Sequence, residues 1–185
     1  MAVRSRTGVS TGVLLTGAAA TVVLAAASTL GIAAASSAFS TRSCKVPALT
    51  GSVVHVTALD MAGMQTGMMP GHATTMRLVA APAVVGPGTV SLLVRNAGTR
   101  THELVVLPLT GASAAGTRTV GADGRIDEAG SLGEASRSCG AGAGDGITRG
   151  TSGWVTLHLA PGRYELVCNE KNHYAGGMFT ELDVS

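Results

Sequence analysis

Large aromatic rings are scarce in this chain, with one Trp, two Tyr and two Phe among 185 residues. A core must therefore be built from Val, Leu, Ala and Met. A surplus of charge is missing too. The formal net charge is +2, and Arg4 and Arg6 supply it; residues 39–185 hold eleven Lys and Arg against eleven Asp and Glu. That balance gives no sign of the basic face that nucleic-acid binding needs. Glycine, by contrast, is abundant at 26 residues, so many tight turns are expected.

No charge at all occurs from Thr7 to Thr41, behind the basic pair Arg4 and Arg6. The apolar stretch is densest between Val13 and Ala35, and Ser36-Ser37-Ala38 offers small residues for a signal peptidase. Residues 1–38 are read as a signal peptide, or as an N-terminal membrane anchor through residues 8–38, since about 20 apolar residues span a bilayer. Either reading puts the rest of the chain outside the cytoplasm. Residues 39–50 read as a linker, and residues 51–185 as one domain.

Within that domain, alternating apolar residues mark short strands separated by Gly and Pro turns. Strand patterns run from Gly51 to Leu59, Met76 to Ala80, Thr89 to Arg95, His102 to Leu107, Trp154 to Leu159, Arg163 to Cys168, and from Met178 onward. Seven or eight such strands argue for a β-sandwich. Between Met61 and Met76 the chain breaks pattern, placing five of its seven Met residues and His72 among Gly and Pro. That run reads as a loop covering one end of the barrel. From Thr110 to Gly153 periodicity is lost, with eleven glycines between Gly111 and Gly150, so about 110–153 reads as an insertion.

The last strands carry the chemistry. Tyr164, Leu166 and Cys168 share one parity, as do Met178, Thr180, Leu182 and Val184, so each set faces one side of a sheet. Cys168, His173 and Met178 then stand on a single loop in the spacing Cys-x4-His-x4-Met. A thiolate, an imidazole and a thioether suit copper, and two His with one Cys and a weak axial Met make a type 1 site.

This loop resembles the C-terminal ligand loop of the cupredoxins, most closely the rusticyanin and sulfocyanin type. The resemblance covers roughly residues 51–185. It implies an all-β, Greek-key, cupredoxin-like β-sandwich with one copper ion held by His102, Cys168, His173 and Met178. His102 is the match for the family's upstream ligand, because it follows the strand Thr89–Arg95 and the turn Asn96-Ala97-Gly98. The implied function is one-electron transfer with redox partner proteins. Two departures stand out. Glu103 occupies a position where many members have Asn or Ser, and Lys171-Asn172 stands where related members have Pro-Gly. The Ala175-Gly176-Gly177 run is expected to leave one edge of His173 near the surface.

With Cys168 assigned, Cys44 and Cys139 are the spare thiols of an exported chain, and a disulfide between them is expected. A copper enzyme would need further His ligands in paired or His-x-His motifs, whereas His55, His72 and His158 are scattered, so no enzymatic activity is expected. The alternative function is a copper carrier or store using the Met-rich loop 61–76, since thioethers are soft ligands for Cu(I).

Overall fold

The computed structural model describes residues 44–60 and 76–185. The signal or anchor segment and the body of the Met-rich loop lie outside the described residues.

Ten strands, and no helix among the described residues, form two mixed sheets. The strands are β1 (Ser52–Asp60), β2 (Met76–Ala81), β3 (Val84–Val85), β4 (Gly88–Asn96), β5 (Leu104–Leu109), β6 (Gly133–Arg137), β7 (Gly142–Gly146), β8 (Ser152–Leu159), β9 (Gly162–Val167) and β10 (Phe179–Val184). The first sheet has the order β2-β1-β4-β8 and the second β3-β10-β9-β5-β6-β7. The all-β sandwich implied by the resemblance is thus the observed architecture.

The period of two explains the layers. Val54, Val56 and Ala58 of β1 and Val90, Leu92 and Val94 of β4 point from the first sheet into the core. Leu104 and Val106 of β5, Tyr164 and Leu166 of β9, and Leu182 and Val184 of β10 meet them from the second. Burying each such Val or Leu contributes about 1.5–3 kcal/mol. His55 and His158 fall on the opposite parity of β1 and β8 and are exposed.

The insertion departs from expectation. It contributes two strands, β6 and β7, rather than a patternless loop. Ile126 and Val120 also bridge each other and cover the outer face of the second sheet, packing on Val105, Leu107, Val167 and Tyr174. Glycine-rich strands carry few side chains for periodicity to show, and here pairing with a neighbour replaces it. Cys139, between β6 and β7, is joined by a disulfide to Cys44 ahead of β1, with Cα atoms 5.0 Å apart. One end of the insertion is therefore fastened to the start of the domain.

Candidate metal centre

Cys168 directly follows β9, on the core-facing parity of Tyr164 and Leu166. Its amide donates to the Met178 carbonyl at 3.0 Å, which closes the loop that begins at Cys168. Inside that loop the His173 amide bonds the Glu170 carbonyl at 2.9 Å, and the Met178 amide bonds the His173 carbonyl at 3.1 Å. His173 is thereby gripped on both sides. Asn172 adopts a left-handed φ of 65°, a conformation that glycine takes freely and that Asn tolerates better than most residues. Its amide donates to the Gly124 carbonyl at 2.8 Å. The Lys171-Asn172 departure leaves the loop pinned by the insertion rather than loosened.

His102 precedes β5 and is joined to Ile147 by a two-way backbone bridge. Asn96 secures the approach to it. The Asn96 side-chain amide donates to the Arg100 carbonyl at 2.6 Å and the Ile147 carbonyl at 2.7 Å, while its Oδ1 accepts from the Gly98 amide at 2.9 Å.

These supports bring three soft or borderline donors together. Cys168 Sγ lies 3.3 Å from His173 Nδ1 and 3.8 Å from His102 Nδ1, and the two Nδ1 atoms are 3.3 Å apart. A point equidistant from three corners so spaced lies about 2.0 Å from each, within the range of first-row metal–nitrogen bonds and a little inside a metal–thiolate bond. All three side chains are buried. The donor set fits one type 1 copper ion. Met178 is fully buried in the same core cluster as Cys168 and directly precedes β10.

The electrostatics suit a metal more than a free acid–base group. Burial lowers the basicity of His102, against the opposing charge of Asp60, and burial followed by His102 itself does the same at His173. Both shifts favour the neutral ring, whose lone pair a metal needs. Burial pushes the Cys168 thiol up to about 12, despite bonds from the Glu103 and Glu170 amides. A thiophilic cation would have to displace that proton. The Glu103 amide reaches Cys168 Sγ at 3.3 Å.

The Glu103 side chain is buried rather than turned to solvent. Burial, with Glu170, Glu128 and Glu134 adding to it against Arg125, raises its carboxyl to about 7. His173 is buried but for a small part of its surface. It is 5% exposed, and its Nδ1 lies 3.3 Å from each of the other two donors.

Several supporting residues escaped the sequence reading. The Asn169 side chain exchanges bonds with the Ile126 backbone at 2.7 and 3.0 Å, and Arg125 donates to the Asn169 carbonyl at 2.6 Å. The buried Glu165 carboxylate accepts from Tyr174 Oη at 2.8 Å, Arg118 Nε at 2.6 Å and the Gly116 amide at 2.6 Å. Asp60, at the end of β1, lies beside His102. Each pairing joins residues at least nine positions apart, and most join residues about 40 apart, so no local spacing announces it.

No protein-family model matches the chain, and no curated protein does. Among solved structures it is similar to auracyanin from the photosynthetic bacterium Roseiflexus castenholzii, at 16% identity and a TM-score of 0.45, over 75% of this chain and 99% of that one. Auracyanin B is similar at 22% identity and a TM-score of 0.45, over 76% and 93%. Rusticyanin from Thiobacillus ferrooxidans is similar at 23% identity and a TM-score of 0.40, over 77% and 86%. Scores of this size carry no argument about the site, which rests on its own distances.

Proposed function

We propose that the protein is a type 1 copper protein that transfers single electrons outside the cytoplasm. The observation that carries this is the buried triangle of Cys168 Sγ, His102 Nδ1 and His173 Nδ1. His102, Cys168 and His173 are the strong ligands in this reading, and Met178 is the weak axial one. Copper, when bound, supplies a one-electron couple between Cu(I) and Cu(II). The chain's part is to keep the donors where they are in both states. Ile147 backs His102, the Met178 carbonyl holds Cys168, and the Glu170 and Met178 backbones hold His173. Fixed donors need little rearrangement as charge changes, and that favours fast exchange with redox partner proteins.

The Cys44–Cys139 disulfide supports an oxidising, extracytoplasmic setting, as does the uncharged stretch Thr7–Thr41 behind Arg4 and Arg6. His55 and His158 are exposed strand residues, which supports an electron carrier over a copper enzyme. The test is the visible spectrum of the purified protein loaded with Cu(II). An intense band towards the red, from thiolate-to-copper charge transfer, is expected, and Cys168→Ser should abolish it. A variant that keeps the colour would remove Cys168 from the site.

One observation favours copper carriage as the second reading. Met76, the last residue of the Met-rich run, donates its amide to the Gly176 carbonyl on the ligand loop at 3.3 Å. Replacing Met64, Met68 and Met69 with Leu separates the two. An electron carrier keeps one copper per chain, whereas a carrier would lose a second, Cu(I), equivalent.

A further inference from the structure

We propose that Asp60 is a positioning residue for His102, whose carboxylate fixes the ring's tautomer and lowers the reduction potential of the metal. The tautomer half of the proposal stands on the protein alone; the potential half rests on the copper reading above.

A histidine that offers Nδ1 to a metal must carry its proton on Nε2, and the group facing that N–H decides how firmly the tautomer and ring angle are held. His102 offers Nδ1 to the triangle. Its Nε2 is fully buried and has no hydrogen-bond partner among the described residues. Asp60 Oδ1 stands 3.7 Å from it. At that length the contact is between an ion and an N–H dipole rather than a formed hydrogen bond, and it favours the proton on Nε2.

The carboxylate is built in. The Asp60 side chain is 1% exposed. It accepts from the Thr99 amide, from Thr99 Oγ1 at 2.9 Å and from the Arg100 amide at 3.0 Å. Those donors keep a buried carboxyl ionised, and the Arg100 guanidinium, 3.9 Å away and 56% exposed, answers only part of its charge. Gly98 completes the fit. A Cβ there would overlap Asp60 Oδ1 and come within 2.8 Å of His102 Nε2, so any larger residue would part the two. The Asn96-Ala97-Gly98 turn thus serves both to deliver His102 and to admit the end of β1.

The consequence is electrostatic. A fixed negative charge behind a ligand stabilises the more positive oxidation state, so Asp60 favours Cu(II) and lowers the potential. Asp60→Asn keeps the shape and removes the charge. Histidine ring nitrogen shifts of the 15N-labelled, metal-free wild-type protein should show His102 protonated on Nε2 alone. A proton on Nδ1 would overturn the positioning role whether or not copper binds and whether or not the variant folds. In the copper-loaded proteins, Asp60→Asn should raise the Cu(I)-to-Cu(II) affinity ratio at least tenfold, read as a rise in potential of about 59 mV. A folded, blue variant with an unchanged potential would overturn the electrostatic role. A wild-type protein that takes up no copper would count against the function proposed above and leave the tautomer result to stand.

Discussion

The amide of Ile147 donates to the carbonyl of His102 at 2.7 Å, and the amide of His102 donates back to the carbonyl of Ile147 at 3.1 Å. Ile147 is fully buried, and it belongs to the segment that the sequence shows only as a glycine-rich interruption. The insertion is therefore the wall against which one candidate ligand is set. Ile147→Val should cost about 0.5–1.5 kcal/mol and Ile147→Ala about 2–5 kcal/mol. Chemical denaturation of the metal-free protein measures both. A loss near zero for Ile147→Ala would show that the wall is not packed.

The disulfide joins Cys44 and Cys139, which stand 95 positions apart in the chain. Removing it through Cys139→Ser, with Cys44→Ser to avoid a stray thiol, should cost about 2–5 kcal/mol. The comparison of urea midpoints for the oxidised wild type and the double variant checks it.

Met178→Leu keeps volume and apolar character in a fully buried position, so packing should change by less than about 1.5 kcal/mol. The thioether would be lost while the fold survives. If Met178 is the axial ligand, the variant stays coloured and its potential rises, because a donor that favours Cu(II) has gone. Voltammetry of the two proteins decides, and an unchanged potential would take Met178 out of the ligand set.

Glu165 joins the ligand loop to the insertion through Tyr174, Arg118 and Gly116. Glu165→Gln removes the charge while Arg118 remains, only 26% exposed. Breaking such a largely buried pair from one side costs about 3 kcal/mol. Thermal melts should show the loss, and Tyr174→Phe should give a smaller one by deleting a single hydrogen bond.

Arg163 and Glu181 form a two-pronged pair across β9 and β10, at 2.6 and 2.7 Å. The Arg163 hydrogen bonds hold the Glu181 carboxyl below its usual value of 4.5. The sign follows: the pair's contribution is fully present above 4.5 and is lost as pH falls through the lower, folded-state value. Partial exposure keeps the effect small. Stability measured from pH 7 down to pH 3 should therefore fall slightly less steeply in Arg163→Met than in the wild type.

Short-range periodicity and spacing made most of the centre legible in advance. The parity of Tyr164, Leu166 and Cys168 is a property of the strand backbone alone. The order Cys168, His173, Met178 needs only one loop, so a linear reading can see it. His102 was reached only through the cupredoxin resemblance, which expects a ligand after a turn such as Asn96-Ala97-Gly98. What held these residues was not legible. Asp60 meets His102 from 42 positions away, Ile147 meets it from 45, and Asn169 meets Ile126 from 43. The glycine-rich insertion carries too few side chains to show a period, and its strands exist because tertiary pairing satisfies their backbone groups. The burial of Glu103 and His173 was likewise decided by what packs over them. Donor identity and order are written along the chain, whereas donor orientation, charge and solvent exclusion arise only when distant segments occupy the same small volume.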